Sequence, residues 1–466
     1  MASQPLVTVY ITNYNYGRFL RQAVESVFAQ TLHDYELLII DDGSTDGSRD
    51  IVLEYEGRPG VRVLLQQNAG LNRTSNTALG MARGRYIMRL DADDYLAPEA
   101  LAVMTDILER NPSVGLVFPD YYYVDENGAV IGREIRNDFN GGVSLPDMPA
   151  HGACTLIRRS HLLSVGGYSE EFRCQDGYDL WLRFIEKHDV RNVNEPLFYY
   201  RQHGGSLSGD RRMIVETRAR IKEAHARRSN RPACPTLAFV PVRGLSVDPH
   251  CLALEQLGGR TLLDWTLDAA LEATQLCGVA VTTPDAAVMD HVRRRYGSAV
   301  HIVERPRAFA RSNTALHDTL QHVLDSLPLL ARQARACMML SVETPFRSSL
   351  YIDKAVNTAR IFDVDTVIPV NPENDLFFRH DGTGLQLVGN NQRYGGMRFE
   401  REYLFRAVPG LHLLTRGWYE KSPHWLGDRV GHIVLAGDAL HVVSSARDLA
   451  VAETLLRLER ERICAE

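Results

Sequence analysis

The chain has 466 residues, 45% of them hydrophobic and 24% charged, which is enough for about two or three cores of ordinary globular size. A net charge of -6 argues against a protein that coats nucleic acid, and no apolar run reaches the roughly 18–20 residues that cross a bilayer. Seven cysteines without CxxC spacing argue against a disulfide framework or a zinc site, so reduced thiols in the cytoplasm are expected.

Residues 6–11 are rich in β-branched side chains and read as a strand, followed by the turn-like Thr12-Asn13-Tyr14-Asn15-Tyr16-Gly17. The N-terminus leads straight into this strand, so no signal peptide is expected. Residues 18–30 carry Phe19, Leu20, Ala23, Val24 and Val27 at helical spacing. A second strand, 36–40, ends in Asp41-Asp42-Gly43-Ser44. Residues 61–65 read as a third strand, 71–82 as a helix, and 86–90 as a strand that runs into Asp91-Ala92-Asp93-Asp94. Strands alternating with helices over short loops predict a parallel sheet, and ligands bind at the carboxyl edge of such sheets.

Side chains alternate along an extended segment, so Asp91 and Asp93 point the same way and repel each other. A divalent cation gripping a phosphate, Mn²⁺ or Mg²⁺, would resolve that repulsion. The alternative is an acidic turn capping the helix that starts near Pro98. Two acidic strand ends on one sheet edge favour the cation. Farther on, residues 115–118 read as a buried strand leading through Tyr121-Tyr122-Tyr123 to a hairpin turn at Asp125-Glu126-Asn127-Gly128. The tyrosines suit sheet packing, with stacking on a sugar ring as the alternative. Residues 133–149 form a long connection or a loop over the site, and a helix opens near Asp176 with Leu180, Trp181 and Phe184 on its core face.

The order Thr12-Asn13-Tyr14-Asn15, Asp41-Asp42-Gly43-Ser44, Asn68-Ala69-Gly70 leading to Asn76, and Asp91-Ala92-Asp93-Asp94 resembles the family-2 glycosyltransferases of the GT-A fold. Gly166-Gly167-Tyr168 and Asp179-Leu180-Trp181-Leu182-Arg183 continue the resemblance, which covers about residues 5–210. It implies a nucleotide-sugar donor bound by Thr12, Asn13, Tyr14, Asp41, Asp42, Asn76, Asp91 and Ala92, with Asp91 and Asp93 managing ribose, metal and diphosphate. His203, in a stretch that resembles the family's closing loop, is the further metal ligand this implies. An inverting transfer needs a carboxylate to take the acceptor hydroxyl's proton. The resemblance gives that role to Asp176 first and Asp179 second, because Gln175-Asp176-Gly177-Tyr178-Asp179 is offset by one residue from the family spelling. The alternative is an N-cap aspartate without chemistry. Where members often carry Arg-Asn before the helix ahead of the acidic motif, this chain has Ser75-Asn76, with Arg73 two residues earlier.

Residues 211–231 form an arginine-dense helix that runs into Pro232-Ala233-Cys234-Pro235, a domain boundary. A solvated linker is expected, with peripheral contact to an anionic membrane face as the alternative. Residues 236–458 carry Val240-Pro241-Val242-Arg243-Gly244, Leu262-Leu263-Asp264-Trp265-Thr266, Glu304-Arg305-Pro306, Glu343-Thr344-Pro345-Phe346-Arg347 and Asp448-Leu449-Ala450-Val451-Ala452-Glu453. This order resembles the acylneuraminate cytidylyltransferases, which act on CTP. The places where that resemblance implies phosphate and metal ligands read Leu245-Ser246-Val247-Asp248-Pro249, Pro284 and Val443-Ser444-Ser445 instead. The second domain is therefore expected to be catalytically silent, and to serve as a scaffold, a homodimer-forming piece or a ligand sensor.

The expected class is α/β, with two tandem nucleotide-diphospho-sugar-transferase-like (Rossmann-like) domains. A GT-A domain spans 1–210, a basic helical linker 211–235 and a cytidylyltransferase-like domain 236–466. The expected function is a metal-dependent, inverting transfer of a sugar to a glycan or other hydroxyl acceptor, in surface polysaccharide or glycoconjugate synthesis. Two alternatives stand beside it: a bifunctional glycosyltransferase/CMP-sugar synthetase, and a non-enzymatic nucleotide-sugar-binding protein.

Overall fold

The computed structural model describes residues 4–134, 149–172, 175–204, 211–310, 315–373, 375, 377–388 and 404–465. The chain divides into two compact units, one comprising Met1–Asp210 and Asn374–Glu402, the other Arg211–Glu373 and Tyr403–Glu466. Most of the loop expected over 133–149 lies outside the described residues, as does the part of the closing stretch beyond Gly204. Among the described residues no helix is long and apolar enough to cross a membrane.

In the first unit the chain runs β1 (Val7–Asn13), α1 (Gly17–Phe28), β2 (Tyr35–Asp41), α2 (Ser48–Leu53), β3 (Val61–Leu65), α3 (Leu71–Met81) and β4 (Tyr86–Asp91). It continues through β5 (Tyr95–Leu96), α4 (Ala100–Arg110), β6 (Val114–Val124), β7 (Val130–Glu134), β8 (Leu156–Arg158), α5 (Arg159–Ser164), α6 (Asp176–Ile185) and β9 (Asp189–Arg201). The sheet order is β3-β2-β1-β4-β8-β6-β9-β5, with β7 on β6. The first four of these strands are parallel. Order reverses between β1 and β4, and such a switch point leaves a crevice at the strands' carboxyl ends. Register makes those ends level: Asn13 pairs with Asp41 and Thr12 with Asp91. The apolar stripe of α1, with Phe19, Leu20, Ala23, Val24 and Val27 buried, covers one face of this sheet. Gly43 takes φ +84° after β2, and a Cβ there would stand 2.7 Å from the Asn68 nitrogen, so only glycine allows the two loops to touch.

The second unit runs α7 (Arg211–Arg228), β10 (Thr236–Pro241), β11 (Gln256–Leu257), β12 (Arg260–Thr261), α8 (Leu262–Glu272), β13 (Leu276–Thr283), α9 (Ala286–Tyr296), β14 (His301–Glu304), α10 (Leu316–Ser326) and α11 (Pro328–Gln333). Next come β15 (Ala336–Leu340), α12 (Ser349–Phe362), β16 (Thr366–Glu373), β17 (Phe378–His380), β18 (Leu385–Leu387), β19 (Leu404–Ala407), β20 (Leu411–Thr415), α13 (Arg416–Tyr419), β21 (Val430–Val434) and α14 (Ala446–Ala465). The β17–β18 hairpin belongs to the first unit. The second sheet is ordered β14-β13-β10-β15-β20-β16-β19, with β21 on β16. Its parallel run β14-β13-β10-β15 repeats the strand order of the first sheet, including a switch point between β10 and β15. One expectation changes here. Helix α7 is not a solvated linker: Val215 joins the second unit's core, and the buried Lys222 Nζ donates to Thr358 Oγ1 of α12 at 2.9 Å.

Beside the first sheet the His161 ring lies over the His188 ring, centroids 4.0 Å apart and planes within 8°. Burial and then the His188 ring hold His161 below the usual imidazole range, and burial followed by Lys187 does the same to His188. The folded state thus favours the neutral rings, so stability is intact above the unfolded histidine pKa of about 6.5 and falls as the pH drops below it. Thermal melts from pH 7.5 to 5 should therefore show a steeper loss of midpoint in the native chain than in His188→Phe, which keeps the stacked ring and removes the charge.

Candidate active site

The site is assembled at the level tips of β1, β2 and β4, where the chain turns from Asp91 to Asp94 with the Asp94 nitrogen bonded to the Asp91 carbonyl at 3.1 Å. Arg89 and Asp91 lie two residues apart on β4 and so share a face. The nearly buried Arg89 guanidinium meets the Asp91 carboxylate, Nε to Oδ1, at 3.0 Å. Gly152 makes room for it, since a Cβ there would strike Arg89 Nη2. Asp93 Oδ2 lies 2.9 Å from His203 Nε2. The His203 imidazole is buried between Tyr16 and Phe19, each 5.4 Å away between centroids. Asp94 is buried, and its Oδ1 accepts from the Arg201 nitrogen at 2.9 Å while its Oδ2 has no hydrogen-bond partner among the described residues.

The electrostatics follow from that packing. Burial, then Asp93 and Asp91, push the Asp94 carboxyl well above the ordinary carboxylate range. Burial and then the same carboxylates push the Tyr16 phenol up to about 12. The turn thus concentrates negative charge in a place that water reaches poorly, and a cation would find it favourable.

Several residues read as donor ligands do other work. Asp41 is fully buried, with Oδ2 accepting from Asn13 Nδ2 at 2.9 Å and Oδ1 from the Ser44 nitrogen at 3.0 Å. Asp42 accepts from Gln66 Nε2 and from the Ala69 and Gly70 nitrogens, at 2.6, 2.8 and 2.9 Å. Both carboxylates hold loops together: Asp41 accepts two hydrogen bonds and Asp42 three from this chain, of the roughly four a carboxylate can accept. The Asn76 amide bonds the Tyr168 carbonyl and nitrogen, each at 2.9 Å, and so pins the Gly166-Gly167-Tyr168 turn to α3. The Ala92 methyl is buried in the apolar core, which leaves only its backbone for a ligand. Asp179 is buried and ion-paired to Arg183 at 2.7 Å, one helical turn along α6. Thr12, one residue before the end of β1, pairs with Asp91, and Tyr14 is exposed in the loop that follows. Asp176 opens α6, its side chain lying outside the described residues. Gly177 follows it and lies against Gly152.

The sequence reading passed over two buried arginines. Arg89 could have been found from its period-two spacing to Asp91. Arg201 closes β9 and is almost fully buried; Nε donates to the Asp93 carbonyl at 2.8 Å, Nη1 to the Asp125 and Glu126 carbonyls at 3.0 and 2.8 Å, and Nη2 to Gln22 Oε1 at 2.6 Å. Its guanidinium also sits 4.5 Å from the Phe19 ring centroid. Only the apolar run of β9 hinted that this arginine is interior.

The Glycosyl transferase family 2 profile matches residues 8–165. Chondroitin synthase of Escherichia coli is 32% identical over 206 residues, which are 44% of this chain and 30% of that protein. The putative glycosyltransferase EpsE of Bacillus subtilis is 31% identical over 208 residues, 43% of this chain and 75% of EpsE. The chain spans 30% of the Escherichia coli chondroitin synthase, and 21% each of the chondroitin and hyaluronan synthases of Pasteurella multocida. Among solved structures, S. aureus TarS 1-349 in complex with UDP-GlcNAc aligns at a TM-score of 0.40 and 18% identity, over 47% of this chain and 65% of that one.

Arg201→Met should leave three backbone carbonyls and the Gln22 amide without their donor, lowering stability to urea by about 3 kcal/mol. Arg201→Lys should recover only part of that loss, because one ammonium cannot reproduce the guanidinium fork.

Proposed function

The chain belongs to glycosyltransferase family 2, and from that premise we propose that its first unit moves a sugar, with inversion, from a nucleotide-sugar donor to a hydroxyl of a growing glycan. The observation that carries this reading is the Asp91–Asp94 turn, set at the switch point of a parallel sheet with His203 against Asp93. The relatives named for chondroitin and hyaluronan synthesis support a polysaccharide or glycoconjugate acceptor. A place in the cytoplasm, with peripheral contact to the inner membrane face, would bring the enzyme to such an acceptor.

The residues present suit a divalent cation. Asp93 and His203 would hold it, with Asp91 beside them; the raised pKa of the buried Asp94, to which Asp93 and Asp91 contribute after burial, reflects the crowding of acids that a cation would relieve. Among the described residues no three acidic, histidine or cysteine side chains are arranged to hold an ion by themselves, so the donor's phosphates would have to complete the set. When bound, the cation offsets the charge that develops on the leaving nucleoside diphosphate. An imidazole in the set favours Mn²⁺ over Mg²⁺.

The chain's own residues do the remainder. Arg89 fixes the Asp91 carboxylate at the strand tip, and Arg201 holds the turn by the Asp93 carbonyl and the Asp94 carboxylate. Asp176 takes the acceptor hydroxyl's proton as its oxygen attacks the anomeric carbon. Gly177 against Gly152, and Gly152 against Arg89, tie the first turn of α6 to the Asp91 tip, so the proposed base is positioned from the same arginine that positions the donor side.

Release of nucleoside diphosphate from UDP-, GDP-, TDP- and CMP-sugars in Mn²⁺ tests the reading. Asp93→Ala should lower turnover about a hundredfold or more. Asp176→Asn should lower kcat while leaving the donor KM near its native value, whereas Asp179→Asn should keep most turnover. Full metal-dependent turnover in Asp93→Ala would remove the acidic turn from the mechanism.

A further inference from the structure

Strand β4 sets Arg89 and Asp91 on one face, and across the ladder Tyr10 of β1 is the partner of Arg89. The Tyr10 phenol is buried and donates to the Tyr168 hydroxyl at 2.9 Å. Burial and then Tyr168 hold this phenol far above its ordinary range, while Arg89 and the Ser75 hydroxyl draw it down. Arg89, Tyr10, Tyr168 and Ser75 thus gather on one buried side of the sheet. Ser75 of α3, where related chains often carry arginine, is small and fully buried here. The positive charge on this side comes from the strand, not from the helix.

The two outer carboxylates of the acidic turn are engaged differently. Both oxygens of Asp91 face the Arg89 fork, Oδ1 at 3.0 Å from Nε and Oδ2 at 3.4 Å from Nη2. The arginine side chain is 5% exposed and the aspartate 25%, so the guanidinium stands behind the carboxylate. Asp93 instead meets the His203 imidazole, a side chain that can itself be a metal ligand. A carboxylate fixed on both oxygens by a guanidinium is a poor ligand for a second cation, which would have to approach against a like charge.

We propose that Arg89 is a positioning residue that divides the acidic turn: by holding Asp91 it leaves the cation to Asp93 and His203, and keeps Asp91 for a hydroxyl of the nucleotide-sugar. This rests on the donor and cation reading of the first unit. Removing the arginine has two effects of opposite sign. Asp91 becomes a second unpaired carboxylate, so the turn holds a bare divalent cation more tightly. A neutral pair also becomes an anion beside the diphosphate, so the nucleotide is held less tightly.

Two titrations of the full chain read these signs separately. One follows free Mn²⁺ by electron paramagnetic resonance without nucleotide; the other is calorimetric, with UDP, GDP, TDP and CMP at saturating Mn²⁺. Arg89→Met should tighten Mn²⁺ binding about tenfold and weaken binding of the preferred nucleotide about tenfold. Arg89→Lys should reverse part of both changes, because an ammonium keeps the charge without the fork. Adding Asp91→Asn to Arg89→Met should abolish the gain in Mn²⁺ affinity. Gly152→Ala, whose Cβ would strike Arg89 Nη2, should displace the guanidinium and shift both affinities in the same directions by a smaller factor. It serves should Arg89→Met fail to fold. In variants that melt cooperatively, both affinities falling together, both staying unchanged, or a Mn²⁺ gain that survives Asp91→Asn would each overturn the proposal. Failure of the native chain to bind Mn²⁺ or any of the four nucleotides would remove the donor reading, and this proposal with it.

Discussion

The first unit depends on holding three carboxylates in one four-residue turn. Like charges that close cost several kcal/mol in a poorly hydrated setting, roughly 4 kcal/mol at 4 Å for an effective dielectric near 20. The fold answers with a different partner for each. Arg89 takes Asp91, His203 takes Asp93, and Arg201 reaches Asp94 only through its backbone nitrogen. The compensation is therefore graded, and it is weakest at the most buried carboxyl, the one whose pKa rises. A turn built this way is tied down by its partners without being neutral.

The two units show how far chemistry separates from architecture. Each has a parallel run of four strands in the same order, with a switch point where that order reverses. In the first, acids stand at the β4 tip; in the second, a cavity at the strand ends is lined by Arg243 and Arg305 together with Asp248 and Glu343. Fold alone would assign the two the same task, but the side chains at the strand ends differ in kind, acids in the first and a mixed set with two arginines in the second.

Much of the fold was legible because strands and helices have different periods. The apolar stripe of α1 and the β-branched run of β1 announce their burial directly. The acidic turn was legible because three carboxylates in four residues demand a cause. Helix α7 was not: its charges look solvated along the whole chain segment, and nothing in their spacing reveals that Lys222 is interior and bonded to Thr358. Long basic side chains can bury their stems and find a hydroxyl, so a charge run is ambiguous until the neighbour is known. Arg201 escaped for the same reason.

Asp41 and Asp42 show where a pattern of acids stops being informative. A carboxylate at a strand end serves a bound ligand and a loop's backbone N–H groups equally well, since both offer donors to the same lone pairs. Here the loops won. Asp41 ties β2 to Asn13 and Ser44, and Asp42 gathers the 66–70 segment that leads into α3. Helix α3 in turn anchors the Tyr168 turn through Asn76. The residues read as touching a donor thus fix the walls around one, in a continuous chain of hydrogen bonds from β2 to the segment ahead of α6. Acids thus recur on this sheet edge partly because the charge at β4 needs a frame, and carboxylates that accept several backbone and amide N–H groups are strong fasteners for irregular backbone.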